Sequence, residues 1–445
     1  MKKLFAVIVT ICSLSTAFGQ PVGEKLEAYM QALNGSVGFN GTVLIAKDGS
    51  ILLEKGYGFR NAEAKINHDQ NSIFQIGSVT KQFTSTVIQK LQMEGKLSVK
   101  DKLSKYFPQY RYANKITIEN LLNHVSGIYN YTNDSVFMTD HIKENLTQEG
   151  FWKMIKNKPL DFEPGSKFNY SNSGYMILGY IIEKVTGRPY FSVVRKYLFE
   201  PAGMTHSGFD FTHLTSPDKT VGYFVLNKDV HTPAPIVDST VAFSAGAIYS
   251  TVHDLYNWNT TLNSGKIIPA KVLESSYKPL FSHYGYGFAI DSIYGKKRIS
   301  HAGGIHGFVS ILTYVPEDKV SVVILSNKPS DLSSIEHDIL AILYNKFNQP
   351  SEHPKEMKVD TAVLNKYVGE YELAPTFKIT VTQVNGALKA QATGQPQFEL
   401  FAKSENTFFL KVVDAQVEFV KNDKGEVDQL ILHQNGRDIP GKKIK

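Results

Sequence analysis

A serine hydroxyl becomes a competent nucleophile only when a neighbouring base takes its proton, and Ser78-Val79-Thr80-Lys81 sets such a pair three residues apart. On a helix, that spacing puts both side chains on one face and within reach of each other. A lysine buried there loses affinity for its proton and can serve as the base. The segment follows a strand-like Ile73-Phe74-Gln75-Ile76 and Gly77, and it opens a run with helical periodicity. The Ser78 amide then belongs to the free donors of a helix N-terminus, where a developing oxyanion would be stabilised. Ser216-Pro217-Asp218-Lys219 and Ser275-Ser276-Tyr277-Lys278 share the spacing. Neither follows a strand and a glycine, and Pro217 makes the first a turn. Context rather than spacing singles out Ser78.

Other chemistries find less support. There is no His-Glu-x-x-His, no Gly-x-Ser-x-Gly and no Gly-rich phosphate loop, which argues against zinc peptidase, α/β-hydrolase and nucleotide-binding readings. His124, ahead of Ser126-Gly127, reads as the anchor of a turn. The single cysteine, Cys12, lies in an N-terminal stretch expected to be removed. The mature chain would then have no disulfide, cysteine nucleophile or thiolate metal site, and no metal or cofactor is expected.

That stretch, residues 1–19, reads as a signal peptide. Lys2-Lys3 precede an apolar run over residues 4–12, and Ala17-Phe18-Gly19 offers small residues for cleavage. The run is too short for a transmembrane anchor, which needs ~20 residues. Val9-Thr10-Ile11 lacks the small residues expected before a lipidated cysteine. The expected location is therefore periplasmic or secreted. The net charge of +6 falls to about +4 without Lys2 and Lys3, and no long basic run is present, so nucleic acid is not an expected partner.

Strand formers flank a Lys47-Asp48-Gly49 turn over residues 39–46 and 51–57 and recur over 284–290, 298–301, 308–314 and 320–326. Between these blocks the periodicity is helical, over 78–95, 175–185 and 253–262, with a further helix over 332–344. The expected architecture is α/β in the α+β sense: one antiparallel sheet built from both ends, flanked by helices with an all-helical subdomain. Residues 349–360 read as a linker between a first domain, 20–348, and a small all-β domain, 361–445. Short strands over 378–384, 387–392, 398–402, 407–413, 417–420 and 429–433, with turns at Asn385-Gly386, Asn422–Gly425 and Asn435-Gly436, point to a small barrel or sandwich.

Several segments resemble the class C β-lactamase and penicillin-binding-protein family in the family's order. Pro164-Gly165 with Tyr170-Ser171-Asn172 resembles its Tyr-x-Asn motif; Tyr112-Ala113-Asn114 and Tyr131-Thr132-Asn133 share only the spacing. His301-Ala302-Gly303-Gly304, at the end of an expected strand, stands where the family has Lys-Thr-Gly or His-x-Gly, whereas His206-Ser207-Gly208 sits in a loop. Leu121 to Ile128, Ser244 to Thr251 and Tyr284 to Phe288 also look like family segments. Tyr367-Val368-Gly369-Glu370-Tyr371 resembles the start of small β-barrel domains appended to such hydrolases.

The resemblance implies a β-lactamase/transpeptidase-like fold and an acyl-enzyme on Ser78. It implies that Lys81 and Tyr170 share the proton traffic and that Asn172 steadies Lys81 and the substrate amide. The amides of Ser78 and Gly304 would form the oxyanion hole, with Gly303 leaving room for substrate along the strand. His301 would supply a hydrogen bond or positive charge near Tyr170 and a substrate carboxylate. A histidine in place of lysine, and Gly304 in place of Ser or Thr, weaken the case for β-lactam turnover. They favour small esters or D-amino-acid-containing peptides. The expected function is a secreted serine hydrolase, with a β-lactamase or a non-catalytic penicillin- or peptide-binding protein as alternatives.

Overall fold

The computed structural model describes residues 21–347 except 37, and residues 356–444 except 375–376, 385, 394–396, 411–414 and 435–436. The expected signal peptide, most of the expected linker, Asn385 and the Asn435-Gly436 turn lie outside the described residues.

Six strands form the main sheet: β1 Gly41–Lys47, β2 Ser50–Tyr57, β3 Ala289–Ile293, β4 Lys296–Ile305, β5 Phe308–Val315 and β6 Val320–Ser326. Their order is β2-β1-β6-β5-β4-β3, and every neighbouring pair is antiparallel. The sheet is thus completed by joining β1 to β6, with Gly41 opposite Ser326. The period-2 alternation of β1 and β6 sends side chains to opposite faces. Val43, Ile45, Val322 and Ile324 pack with the helices Val22–Ser36 and Leu332–Leu343, while Leu44, Val323 and Leu325 join the larger core on the other side. That second core holds Phe83 and Trp258, stacked with ring centroids 4.1 Å apart, from the helices Thr80–Met93 and Val252–Asn263. It continues into a helical region that includes Ile118–Leu122, Gln148–Ile155 and Asn172–Thr186.

Two expectations about elements are corrected. Residues 284–288 do not extend a strand; Tyr284 makes only isolated bridges to Phe281 and Ala289, and the strand begins at Ala289. Gly287 has φ +81° and a Cβ there would meet the Lys81 carbonyl oxygen at 2.7 Å, so this segment coils tightly against the helix that carries Lys81 instead of running straight. Ser78 itself sits in a 3-10 turn, Gly77–Val79, that leads into the α-helix beginning at Thr80.

Residues 369–443 close into an eight-stranded barrel, which decides between barrel and sandwich. Its first and last strands, Gly369–Ala374 and Arg437–Lys443, were not anticipated as strands, because Gly369, Pro440 and the lysines carry little strand preference. Closure supplies the pairing that propensity does not: Tyr371 lies opposite Lys443. Tyr367, Tyr371, Phe408 and Phe419 fill the interior together with aliphatic residues of the same unit.

Candidate active site

Gly77 is the hinge of the site. Its φ of +51° turns the chain sharply out of the short strand Phe74–Gln75, and a Cβ on it would stand 2.8 Å from the Gly304 nitrogen. The absence of that atom lets the turn carrying Ser78 lie directly against the backbone of β4. Ser78 is half-buried at the mouth of the turn. Its amide sits in the first helical turn, where N–H groups have no intrahelical acceptor. Beyond Ser300, the pairing of β3 with β4 ends, so residues 301–304 form a free strand edge facing this turn.

Lys81 is completely buried. Its Nζ lies 2.9 Å from Ser78 Oγ, 2.8 Å from Asn172 Oδ1 and 2.8 Å from the Ala245 carbonyl oxygen. Burial holds its pKa well below the ordinary lysine value. The partners identify how a neutral amine would sit. Asn172 Oδ1 and the Ala245 carbonyl can only accept, so they take the two N–H groups and leave the lone pair toward the Ser78 hydroxyl. The Ala245 carbonyl is available because Ala245 lies in the last turn of the helix Ser239–Gly246, where carbonyls have no intrahelical donor; the same helix is broken at Phe243, which has φ +34° and ψ −130°. Asn172 is fixed in turn: its amide donates to Asn130 Oδ1 at 3.0 Å, and its Nδ2 donates to Thr132 Oγ1 at 3.2 Å.

Tyr170 precedes the helix Asn172–Thr186, and its ring centroid is 4.8 Å from Lys81 Nζ. Its hydroxyl is buried beside Ser78 without a hydrogen bond of good geometry. Burial raises its pKa, and the Ser78 hydroxyl pulls back only part of that rise. The loop is held by His124, which adopts φ +59° and accepts the Ser171 amide on Nδ1 at 3.1 Å. The His124 ring lies 4.2 Å from that of Tyr170. His124 is therefore a turn anchor that also positions Tyr170.

His301 is buried on β4, and its surroundings differ from those expected. Nε2 is 2.8 Å from the Tyr284 hydroxyl, and Nδ1 is 2.6 Å from the Ala302 carbonyl oxygen. Nδ1–H donates to that carbonyl and Nε2 accepts from Tyr284, which is the pattern of a neutral ring. Burial, with Lys81 nearby, pushes its pKa down to about 3. The structure thus gives His301 no positive charge, and its hydrogen bond runs to Tyr284 rather than to Tyr170, whose ring centroid is 6.4 Å away. The reading of Gly303 also changes. A Cβ there would strike the Ile76 carbonyl oxygen at 2.1 Å, so its bareness serves the packing of β4 on the turn that carries Ser78. At Gly304 a Cβ would meet nothing within 4 Å; this is the residue that faces open space.

The sequence profile of the Beta-lactamase family matches residues 26–345. The chain belongs to that family. A second profile, described as a domain of unknown function (DUF3471), matches residues 353–443. Penicillin-binding protein 4* of Bacillus subtilis is 29% identical over 440 residues, 93% of this chain and 97% of that protein. The octameric penicillin-binding protein homologue from Pyrococcus abyssi superposes with a TM-score of 0.68 at 26% identity, over 94% of this chain and 99% of its own. A D-stereospecific amidohydrolase from Streptomyces sp. gives 0.60 at 25% identity, over 73% and 99%.

Within this beta-lactamase-family site, Ser78, Lys81, Tyr170 and Asn172 converge, Gly304 adjoins them, and His301 stands behind, joined through Tyr284. Sequence reasoning missed Ala245, Asn130, Thr132 and Tyr284 as supporting groups. Three of these, Ala245 through its carbonyl and Asn130 and Thr132 from one loop, act through the backbone or a loop whose course no spacing reveals. Ala245 and Tyr284 were visible only as parts of family-like segments. A cavity of about 420 Å³ opens beside Ser78, lined in part by Tyr131, Thr132, Phe224, Val241 and His306. Among the described residues no group of His, Cys, Asp or Glu side chains could hold a metal ion.

Proposed function

We propose that the chain is a serine hydrolase that forms an acyl-enzyme on Ser78 and cleaves ester or amide bonds in small esters or D-amino-acid-containing peptides. The observation that carries this reading is the 2.9 Å approach of a fully buried Lys81 Nζ to Ser78 Oγ, with its remaining donors committed to Asn172 and Ala245.

In the acylation step, Ser78 Oγ attacks the substrate carbonyl carbon while its proton passes to Lys81. The carbonyl oxygen becomes an oxyanion held by the Ser78 and Gly304 amides. When the carbon–oxygen or carbon–nitrogen bond of the leaving group breaks, that group takes a proton relayed from Lys81 through Tyr170. A phenol whose pKa is raised stays protonated at rest, so Tyr170 suits the donor role and Lys81 the base. Water then attacks the acyl-enzyme, releasing the acid and restoring the Ser78 hydroxyl. The kinship with a protein named a D-stereospecific amidohydrolase supports substrates of D configuration. The charged start and apolar run of residues 1–19 support action outside the cytoplasm.

The test is labelling with a fluorophosphonate, mapped by mass spectrometry, alongside turnover of p-nitrophenyl esters and D-amino-acid amides. The label is expected on Ser78, and Ser78→Ala should lose it together with at least about 10³-fold in kcat/KM. Absence of both labelling and turnover in the wild type would leave a peptide-binding protein on this fold.

A further inference from the structure

The cavity beside Ser78 is walled by Met138, Phe224, Val237, Val241, Ile305 and Phe308. Among the described residues that line it there is no Asp, Glu, Lys or Arg. The basic side chains beside it supply no counter-charge. Lys81 is fully buried and held by its three partners. Lys328, next to the lining residue Pro329, directs its ammonium to the carbonyls of Gly38 and Leu226. His301 is neutral and engaged with Tyr284 and Ala302. His306 stands at the turn between β4 and β5, 5.7 Å from the Phe224 ring, and burial lowers its pKa, so it is uncharged at neutral pH. A carboxylate or ammonium entering this cavity would lose water and find no counter-charge, which costs several-fold to many-fold in affinity. An apolar group would meet hydrocarbon on most sides.

We infer that the cavity selects substrates whose group beside the scissile carbonyl is apolar and uncharged, and excludes those that carry a free charge at that end. The inference rests on the acyl-enzyme reading and narrows it: esters with aliphatic or aromatic acyl groups fit, as do peptides presenting an apolar side chain there. For an aryl ester, Ser78 Oγ bonds to the acyl carbon as the bond to the phenolate oxygen breaks. The Ser78 proton passes to Lys81, and water later releases the carboxylic acid.

The test compares three esters of equal chain length: p-nitrophenyl hexanoate, its hydrogen adipate and its 6-aminohexanoate. Hexanoate should exceed both charged esters in kcat/KM by at least about tenfold. Phe224→Arg alters an exposed wall residue and should raise adipate relative to hexanoate several-fold. Ala242→Phe, which fills the cavity, should cut hexanoate relative to acetate. If Ser78 takes the fluorophosphonate but the three esters react within about threefold of one another, the inference falls and the hydrolase reading stands. If Ser78 is unlabelled and no ester is cleaved, the hydrolase reading falls and takes the inference with it.

Discussion

Lys81 and Tyr170 lie in the same buried pocket beside Ser78, yet burial moves their pKa values in opposite directions. Low polarity disfavours whichever form is charged, so the amine loses its proton more readily and the phenol holds its proton more tightly. On the proposed reading, Lys81→Arg replaces a neutral base with a permanent cation; kcat should fall by roughly 10²–10⁴-fold in p-nitrophenyl ester assays, with the circular dichroism spectrum retained. For the wild type, kcat/KM should rise with pH through the lowered pKa of Lys81 and then level off. His301 contributes no limb near pH 6 to 7, because its native pKa is about 3. It does affect stability. Between ~6.5, the value of a free imidazole, and about 3, the unfolded chain binds a proton that native His301 does not, so its contribution is complete above 6.5 and is lost as pH falls. Urea unfolding at pH 7, 5 and 4 should show a flatter decline for His301→Gln than for the wild type.

At the scale of elements, the site depends on two pieces of backbone pressed together: the Ser78 turn and the free edge of β4. Gly303 and Gly304 are adjacent, but only the first is needed for that contact. Gly303→Ala would place a Cβ 2.1 Å from the Ile76 carbonyl oxygen and should cost ~1–3 kcal/mol by overpacking. Gly304→Ala projects into open space and should leave thermal stability nearly unchanged. The reverse ranking in a melting experiment would show that β4 does not lie as described. The helical periodicity of residues 78–95 and 175–185 was legible because an amphipathic face repeats along a continuous segment. The coil at 284–288 was not, because Gly287 is shaped by contact with the Lys81 carbonyl, a partner about 200 residues away in sequence. The same holds for the break at Phe243, whose ring packs against Tyr180 and Tyr190 from a distant stretch of the chain.

Across the whole molecule, the apolar residues of the barrel form a cluster of their own that contains no residue before Val359, while those of the hydrolase fold end at Phe347. A core that is complete without the other unit should survive its removal. A chain ending after residue 347 should therefore fold, unfold within a few degrees of the corresponding transition of the full chain, and keep p-nitrophenyl ester hydrolysis within several-fold. Aggregation or loss of turnover in that truncation would assign the barrel a part in maintaining the site.

The sequence by itself determined the Ser78–Lys81 pair, the Tyr-x-Asn segment, the antiparallel sheet with helices and the all-β end of the chain. These follow from local spacing, periodicity and turn chemistry, which residues carry with them. Only the tertiary structure decided that His301 is neutral and bonded to Tyr284, that Gly303 answers to Ile76, that the barrel closes through residues with little strand preference, and that the cavity wall lacks charge. Each of those depends on what a distant segment brings into contact. Burial, counter-charge and strand pairing are properties of the neighbourhood, and the neighbourhood exists only once the chain has folded.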